Sequence, residues 1–414
     1  MIKLAVLFQE EETRGVDLSH PEKGNPGVGG TAFCFILFLK YMQKYSDIDI
    51  RVYKFQDNIL PTNNEIVVDG MREALDAAKS DGAEIILIRN HQTDEAYEIL
   101  QQYEFKYIFW MHNKLTYKEI RLFSKWKNVK RVVAVGHEMY DYYVDDIVCE
   151  KLTYILNPFV PPSTDFIRPD SYSPSVVYVG SLTYDKNFHL LTSVWREILD
   201  AVPDATLHVI GSGRLYDKNS KLGKFGHAEE SYEDLFMPPI LDEAGNPLKS
   251  VIFHGIMGDD KYEVFKDGAV GVINPMATET FGLAAVEMEA CGMPIVCRKK
   301  NGLLDAVKDG ETGILYKDIS GLAPAIIKLL SNKELNKEYH DNAIKFARDV
   351  FLPESIMPKW AELIRDVSAD VKAKYIKPKE NLDNNGKRIR CILHGIHSIP
   401  FFRFVPSVHD LQKK

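Results

Sequence analysis

The chain has 414 residues, enough for two or three domains that each bury a core of their own. Its formal net charge of −8 argues against nucleic-acid binding, because nucleic-acid-binding domains need a basic face. The five cysteines form no C-x-x-C pair and the twelve histidines no H-x-x-x-H pair, so the sequence predicts reduced, structural cysteines and no bound metal.

In the first 160 residues, short β-rich runs alternate with helical segments. The predicted strands are 2–8, 48–55, 84–88, 106–110, 132–135 and 153–156, and the predicted helices lie near 31–45, 66–79, 93–103, 116–126 and 138–144. Such alternation is typical of a parallel sheet covered by helices on both faces. The run 2–8 is too short for a secretory signal, so we expect a buried strand and a cytoplasmic protein.

A polar loop from Gln9 to Gly30 follows the first strand and ends in GVGGTA, which matches the dinucleotide pattern G-x-G-x-x-A. An NAD-dependent oxidoreductase is therefore one hypothesis. In that motif, however, the glycines follow their strand in a tight turn, and here a long loop intervenes. Gly29 and Gly30 either bring backbone N–H groups to a phosphate or sugar or simply shape a mobile loop.

His112 follows the predicted strand 106–110. Residues just past the carboxyl ends of parallel strands face the ligand crevice, so His112 is a candidate site residue. The alternative is a bystander, because a histidine in a loop is more often solvated or hydrogen-bonded without a function.

The stretch 157–174 is rich in proline, serine and aspartate, and it predicts a domain boundary. We expect one domain over 1–160 and a second over 172–350. The second resumes the alternation, with strands near 176–179, 205–210, 251–254 and 269–273. Between its strands, 214–250 is predicted to be a long polar loop.

Two basic residues follow predicted strands of the second domain. Lys186 ends the segment GSLTYDK, and Arg214 ends the segment GSGR. Lys186 either meets a diphosphate as a point charge or lies solvated in a polar turn.

The stretch 271–297 combines a buried strand, a turn, a helix and a second strand. The first strand stops at an Asn-Pro pair, and Thr278 or Thr280 is predicted to be the N-cap of the helix. The first amides of a helix are unpaired, so those near Thr280, Phe281, Gly282 and Leu283 can receive an anion, which Gly282 lets come close.

Glu279 lies at the N-terminus of this helix, and Glu287 lies eight residues further along. Carboxylates beside a phosphate site make sense if they accept hydrogen bonds from hydroxyl groups. A nucleotide sugar, with a diphosphate between two polyols, fits this pattern. The alternative is that Glu279 caps its own helix and Glu287 is a solvated surface residue.

ETFGLAAVE, from Glu279 to Glu287, followed by EACGMPIV, resembles the E-x7-E signature of the retaining glycosyltransferases of family 4. The Asn-Pro before it and the Cys-Gly-x-Pro after the helix make the resemblance specific. It implies the α/β GT-B fold, in which two Rossmann-like parallel-sheet domains face each other across a cleft. The N-terminal domain would take the acceptor and the C-terminal domain the nucleotide sugar, while 354–414 would pack back on the first domain.

The resemblance also implies residue roles. Lys186 and the amides of 280–283 would contact the leaving diphosphate without a metal. Glu279 would hold hydroxyls of the donor sugar, and Glu287 would hold the ribose. From the first domain, His112 and the Gly29-Gly30 pair would face the donor.

One position departs from the family. An arginine usually follows the glycine of the phosphate loop, and here Ser181 stands in its place. Either Arg214 supplies the second positive charge or the diphosphate is held less tightly.

We therefore expect a hexosyl-type transferase of polysaccharide or glycoconjugate biosynthesis, with no cofactor. It would move a sugar from a nucleotide sugar to a glycan or lipid-linked glycan acceptor, with retention of configuration. A nucleotide-sugar epimerase or hydrolase of the same fold is one alternative, and a non-catalytic sugar-nucleotide binder, suggested by Ser181, is another. Donor sugar, base, acceptor and oligomeric state stay open.

The tail from Tyr375 is basic and contains the run IPFFRFV. It predicts either packing against the N-terminal domain or a weak contact with an anionic membrane surface. Lipid-linked acceptors would be presented at such a surface, on the inner face of the membrane.

Overall fold

The structure is a computed structural model, which describes residues 1–170, 172–214, 221–276, 279–379, 381 and 384–412. The chain divides into two compact units. The first comprises Met1–Glu22, Val28–Pro158 and Pro353–Lys414, and the second comprises Lys23–Gly27 and Phe159–Leu352. Each unit is built on one parallel sheet, as the strand-helix alternation predicts.

The strands of the first unit are β1 (Ile2–Phe8), β2 (Ile48–Lys54), β3 (Glu65–Val67), β4 (Ile85–Arg89), β5 (Lys106–Met111), β6 (Val129–Ala134) and β7 (Leu152–Tyr154). Among the described residues they are ordered β3-β2-β1-β4-β5-β6-β7. Because β1 pairs with both β2 and β4, the strand order reverses beside β1. In open parallel sheets such a reversal marks the crevice where ligands bind.

The helices between these strands are α1 (Gly30–Met42), α2 (Met71–Ser80), α3 (Asp94–Leu100), α4 (Tyr117–Lys125) and α5 (His137–Asp141). α1 is apolar on nearly every side, and its residues from Ala32 to Leu39 are all buried. A helix of this composition belongs inside a core rather than on a surface.

The second unit has the strands β8 (Ser175–Val179), β9 (Thr206–Ile210), β10 (Val251–Gly255), β11 (Val270–Val272), β12 (Ile295–Arg298) and β13 (Gly313–Tyr316). They are ordered β10-β9-β8-β11-β12-β13 in the described part of the chain. Its helices are α6 (Phe188–Ser193), α7 (Trp195–Ala201), α8 (Glu230–Phe236), α9 (Lys261–Asp267), α10 (Leu283–Ala290), α11 (Leu303–Ala306), α12 (Leu322–Ser331) and α13 (Lys333–Val350).

The C-terminal segment belongs to the first unit. It contains α14 (Pro353–Ser368), α15 (Lys387–His397) and α16 (Val408–Gln412). α14 packs on α1 through Trp360, whose ring centroid lies 5.2 Å from that of Phe38 and 4.6 Å from that of Trp110. Among the described residues, none of the helices is both long enough and apolar enough to cross a bilayer.

Three sequence predictions about local structure are wrong. The start of the predicted helix 66–79 is instead the end of β3, an edge strand of three residues that is too short to show a period. The predicted helix near 187–201 is interrupted at Val194, which leaves helical geometry. The stretch 214–250, predicted to be a loop, contains α8, because Tyr232 and Phe236 bury their rings in the core of the second unit.

Candidate functional site

Candidate site residues of the second unit follow three adjacent strands. β8 pairs with both β9 and β11, so the strand order reverses beside β8. The loops that follow these strands therefore meet at the carboxyl edge of the sheet, where open parallel sheets bind ligands. Lys186 comes after β8, Arg214 after β9 and Glu279 after β11.

The structure brings Lys186 and Glu279 into contact. Lys186 ends a single 3-10 turn, Tyr184–Lys186, and its Nζ forms an ion pair with Oε1 of Glu279. The two side chains keep only 22% and 18% of their surface exposed, so the pair is shielded but reachable. Thus a cation and a carboxylate that were predicted from separate motifs form an ion pair.

Asn274 is a third member that the sequence analysis missed. It follows β11, its Nδ2 donates a hydrogen bond to the same Oε1 of Glu279, and its backbone is left-handed, with φ of 40°. Its own Oδ1 is buried and accepts no hydrogen bond from the described residues. The Asn-Pro pair signalled the end of the strand, and nothing in the sequence signalled that the amide would reach a carboxylate five positions later.

The N-terminus of α10 differs from the prediction. The N-cap is Gly282, with φ of 105°, and Thr280 lies before it, while Thr278 is outside the described residues. Threonine is disfavoured at such a φ, whereas glycine adopts it readily. The helical amides therefore begin at Leu283, and Thr280 and Phe281 form the turn that leads into the helix.

The turn before α10 packs against the loop that contains Gly302. The backbone N–H of Gly302 donates to the carbonyl oxygen of Glu279 over 3.0 Å. A Cβ on Gly302 would lie 2.1 Å from the carbonyl oxygen of Thr280, so only glycine allows this approach. Phe281 is buried, with its ring edge-on to Phe351 at 5.5 Å. Together these contacts fix the position of Glu279.

Glu287 is not a solvated surface residue. Both of its carboxylate oxygens lie 2.9 Å from Nζ of Lys261, and the two side chains are only 13% and 9% exposed. Glu289 points to another side of the helix, where it is fully buried and accepts a hydrogen bond from Oγ1 of Thr312. Burial raises the pKa of Glu289 well above its ordinary value. We therefore assign this residue a structural role.

Ser181 brings no positive charge to the loop after β8. Its side chain is buried, and its Oγ lies 3.2 Å from Oγ1 of Thr183. The neighbouring loop after β9 packs directly against it, because a Cβ on Gly211 would lie 1.8 Å from the carbonyl oxygen of Gly180. Arg214 is exposed in that neighbouring loop. The sheet therefore places the arginine in the loop next to Ser181.

In the first unit, His112 follows β5 and is 6% exposed, with its ring 4.8 Å from that of Trp110. Burial, with a smaller contribution from Arg89, lowers the pKa of His112 to about 3. The imidazole is therefore neutral near pH 7, so it can exchange hydrogen bonds with a ligand but cannot attract a phosphate as a cation.

Gly29 and Gly30 start α1, Gly29 as its N-cap. A Cβ on Gly29 would lie 2.5 Å from Oε1 of Glu12, so the glycine lets this carboxylate approach the backbone. β1 ends at Phe8 and α1 begins at Gly30, and residues 9–29, all of them described, do not form the tight turn of a dinucleotide fingerprint. The oxidoreductase hypothesis loses its structural basis.

An ion pair at this edge of the first sheet was not predicted from the sequence. Glu10 follows β1, and its Oε2 lies 3.1 Å from Nη1 of Arg89, the last residue of β4. Burial raises the pKa of Glu10 from 4.5 to about 7, although Arg89 opposes the shift. In the sequence, Glu10 is one of three consecutive glutamates, and only the fold distinguishes it from the other two.

Comparisons with known proteins agree with this architecture. Residues 165–346 match the sequence model of the family described as "Glycosyl transferases group 1". The chain is 42% identical over 83 residues to the D-inositol 3-phosphate glycosyltransferase of Acidothermus cellulolyticus, a match covering 20% of this chain and 18% of the relative. The chain spans less than half the length of the curated relatives it matches.

Two solved structures resemble almost the whole chain. The sucrose-phosphate synthase of Thermosynechococcus elongatus superimposes with a TM-score of 0.65 at 16% identity, covering 89% of this chain and 100% of that one. The Anabaena protein Alr3699/HepE, solved in complex with UDP-glucose, gives a TM-score of 0.61 at 17% identity, covering 88% and 100%. The chain therefore has the GT-B fold, and its residues 165–346 are similar to the group 1 glycosyltransferases.

Proposed function

We propose that the protein is a retaining glycosyltransferase of family 4 that moves a hexosyl group from a nucleotide sugar to an acceptor hydroxyl, without a metal. The observation that carries the proposal is the contact between Lys186 and Glu279 beside the mouth of α10. This contact brings together a cation, a carboxylate and a helix N-terminus, inside the segment that matches the group 1 family.

The donor contacts follow from the chemistry of these groups. Lys186 and the amide of Leu283 would take the diphosphate, since both offer N–H donors and positive charge. Glu279 would accept hydrogen bonds from the sugar hydroxyls. Glu287 would hold the ribose even though it is paired with Lys261, because a carboxylate has about four acceptor sites.

Charge stabilisation would supply most of the catalysis. As the bond from the sugar to the diphosphate breaks, negative charge grows on the departing phosphate oxygen. Lys186 and the positive end of α10 would stabilise that charge in place, which is the work that Mg²⁺ performs in other transferases. Arg214 would add a second cation from the loop next to Ser181.

The remaining proposed contacts belong to the first unit and rest on the resemblance alone. His112 would meet the donor sugar as a neutral hydrogen-bonding partner, in line with its buried position after β5. Gly29 and Gly30 would offer backbone N–H groups at the start of α1. The acceptor would be a glycan or a lipid-linked glycan of polysaccharide biosynthesis, met in the cytoplasm at the inner face of the membrane.

A thermal-shift screen with UDP-, GDP-, ADP- and dTDP-sugars tests the proposal first, since a bound ligand raises the melting temperature by mass action. The HepE complex with UDP-glucose makes UDP-sugars the first choice. We expect one nucleotide class to stabilise the protein and its sugar to be transferred to an added acceptor. No stabilisation by any of them would overturn the proposal.

The same experiment separates the alternatives. An epimerase or hydrolase would change the donor with no acceptor present. A non-catalytic binder, which the uncharged Ser181 favours, would be stabilised by the donor but would transfer nothing to any acceptor.

A further inference from the structure

The C-terminal tail docks on the first unit through its charged face. Lys387 is 2% exposed, and its Nζ lies 3.0 Å from Oε1 of Glu138 and 2.7 Å from Oδ2 of Asp141. Three residues further along α15, Arg390 is 1% exposed and donates to Oδ1 of Asp145 over 2.8 Å. The face of α15 that carries these cations is therefore occupied by the protein itself.

The opposite face and the turn after it are apolar and exposed. We call this surface the tail patch. It consists of Ile389, Ile392, Ile399, Phe401, Phe402 and Phe404. Phe401 and Phe404 are 77% and 75% exposed, although the three phenylalanine rings contact one another at 5.3 to 6.5 Å. Soluble proteins seldom expose so many large apolar side chains together unless the surface binds something.

We propose that the tail patch binds the surface of an anionic lipid bilayer. Eight basic and only two acidic residues lie between 371 and 408, on a chain whose net charge is −8. The exposed cations of this segment are Lys372, Lys374, Lys377, Lys379, Arg388 and Arg403. Aromatic and aliphatic side chains surrounded by lysine and arginine match the boundary between acyl chains and anionic head groups.

The charges favour a bilayer over a second copy of the chain. In a two-fold dimer the same patch meets itself, so its arginines and lysines would face their own copies. Like charges brought together in this way oppose association. One of these cations, Arg403, lies 3.7 Å from Glu150, but both side chains are about two-thirds exposed and the pair is weak. Anionic head groups instead bring charge opposite to that of the basic segment.

The two predictions made for the tail from its sequence are therefore compatible. Packing on the first unit uses one face of α15, and the proposed bilayer contact uses the other. The inference rests on the proposed function only in supplying a reason for the contact, because a lipid-linked acceptor would lie at such a surface. Binding to vesicles needs no donor, acceptor or turnover, so it can fail or succeed independently of the transferase proposal.

Sedimentation of the full-length protein with vesicles tests the inference. We expect binding to vesicles of equal parts phosphatidylcholine and phosphatidylglycerol, little binding to phosphatidylcholine alone, and a loss of binding in high salt. The double variant Phe401→Ser and Phe404→Ser should reduce the bound fraction on the order of tenfold, since binding needs both the apolar contact and the exposed cations. The matched control is Ile59→Ser, because Ile59 is 57% exposed elsewhere in the first unit.

Two further measurements keep the outcome unambiguous. Circular dichroism should show the double variant folded like the wild type, because both phenylalanines are exposed. Arg403→Glu reverses a charge between the two phenylalanines and should also weaken binding to the anionic vesicles. Equal binding of the wild type and the phenylalanine variant would overturn the inference. So would a concentration-dependent dimer that disappears in the variant, because the patch would then bind a second copy.

Discussion

Nζ of Lys186 pairs with Oε1 of Glu279, although 93 positions separate the two residues in the chain. One follows β8 and the other follows β11, so the pairing of these two strands brings them together. A carboxylate has about four acceptor sites and an ammonium group has three N–H donors, so neither group is restricted to a single partner. The pair therefore sets the proposed phosphate-binding group beside the proposed sugar-binding group.

Lys186→Met should weaken the binding of the nucleoside diphosphate by roughly 10- to 100-fold, because a charge-assisted hydrogen bond to phosphate is lost. Isothermal titration calorimetry measures the change directly. Lys221→Met is the matched control, since Lys221 is an exposed lysine of the same unit. If both variants bind the nucleotide as the wild type does, Lys186 does not contact the diphosphate.

Replacing Asn274 should lower kcat by about tenfold and leave the affinity for the nucleoside diphosphate unchanged. Asn274 acts on Glu279 rather than on the phosphates, so its loss misplaces the sugar-binding carboxylate. Steady-state kinetics and calorimetry separate the two effects. Asn274→Gly is the better test than Asn274→Ala, because glycine tolerates the left-handed backbone at φ of 40°. A variant whose affinity falls while kcat stays constant would contradict this role.

Gly211→Ala should destabilise the second unit by a few kcal/mol and abolish donor binding. The φ of Gly211 is 139°, and a Cβ there would lie 1.8 Å from the carbonyl oxygen of Gly180, so the loops after β8 and β9 must separate. Thermal unfolding and nucleotide titration measure both effects. Gly258→Ala is the control, because a Cβ at Gly258 meets nothing within 4 Å. Equal melting temperatures of the two variants would contradict the close packing.

Glu10→Gln should change the pH dependence of stability. In the wild type, the unfolded carboxyl ionises near 4.5 but the folded one only near 7, so the protonated form stabilises the fold below pH 4.5. That stabilisation is lost as the pH rises through 7. Glutamine does not titrate, so the variant should gain stability relative to the wild type between these pH values, by about 3 kcal/mol in total. Chemical unfolding at pH 4.5 and pH 7 measures the gain, and parallel stability curves would show that folding does not raise the pKa of Glu10.

Much of the fold follows from the sequence because its signals are local. The apolar run of α1 and the strand-helix alternation predict two parallel sheets, and both are found. The elements that were predicted wrongly are either shorter than one hydrophobic period or depend on contacts with residues distant in the sequence. β3 has only three residues, and α8 is held by Tyr232 and Phe236 against strands far away in sequence. Neither leaves a local pattern.

Two members of the candidate site could be predicted from the sequence, but their partners could not. Glu279 and Lys186 belong to motifs, so each could be named from the sequence. That Lys261 takes both oxygens of Glu287 could not be foreseen, because the two come from neighbouring helices with no shared motif. The cap of α10 was also missed, since a threonine in the first turn is a common cap and the backbone angle of Gly282 shows only in three dimensions.

The most direct test of the account is the rate of sugar transfer by Glu279→Gln at saturating donor, compared with the wild type. Glutamine keeps the shape of the side chain and removes the charge that pairs with Lys186 and would accept the sugar hydroxyls. We expect transfer to fall by about 100-fold or more while the protein stays folded and still binds the nucleoside diphosphate. Transfer at the wild-type rate would show that Glu279 does not belong to the donor site and would contradict the proposed function at its centre.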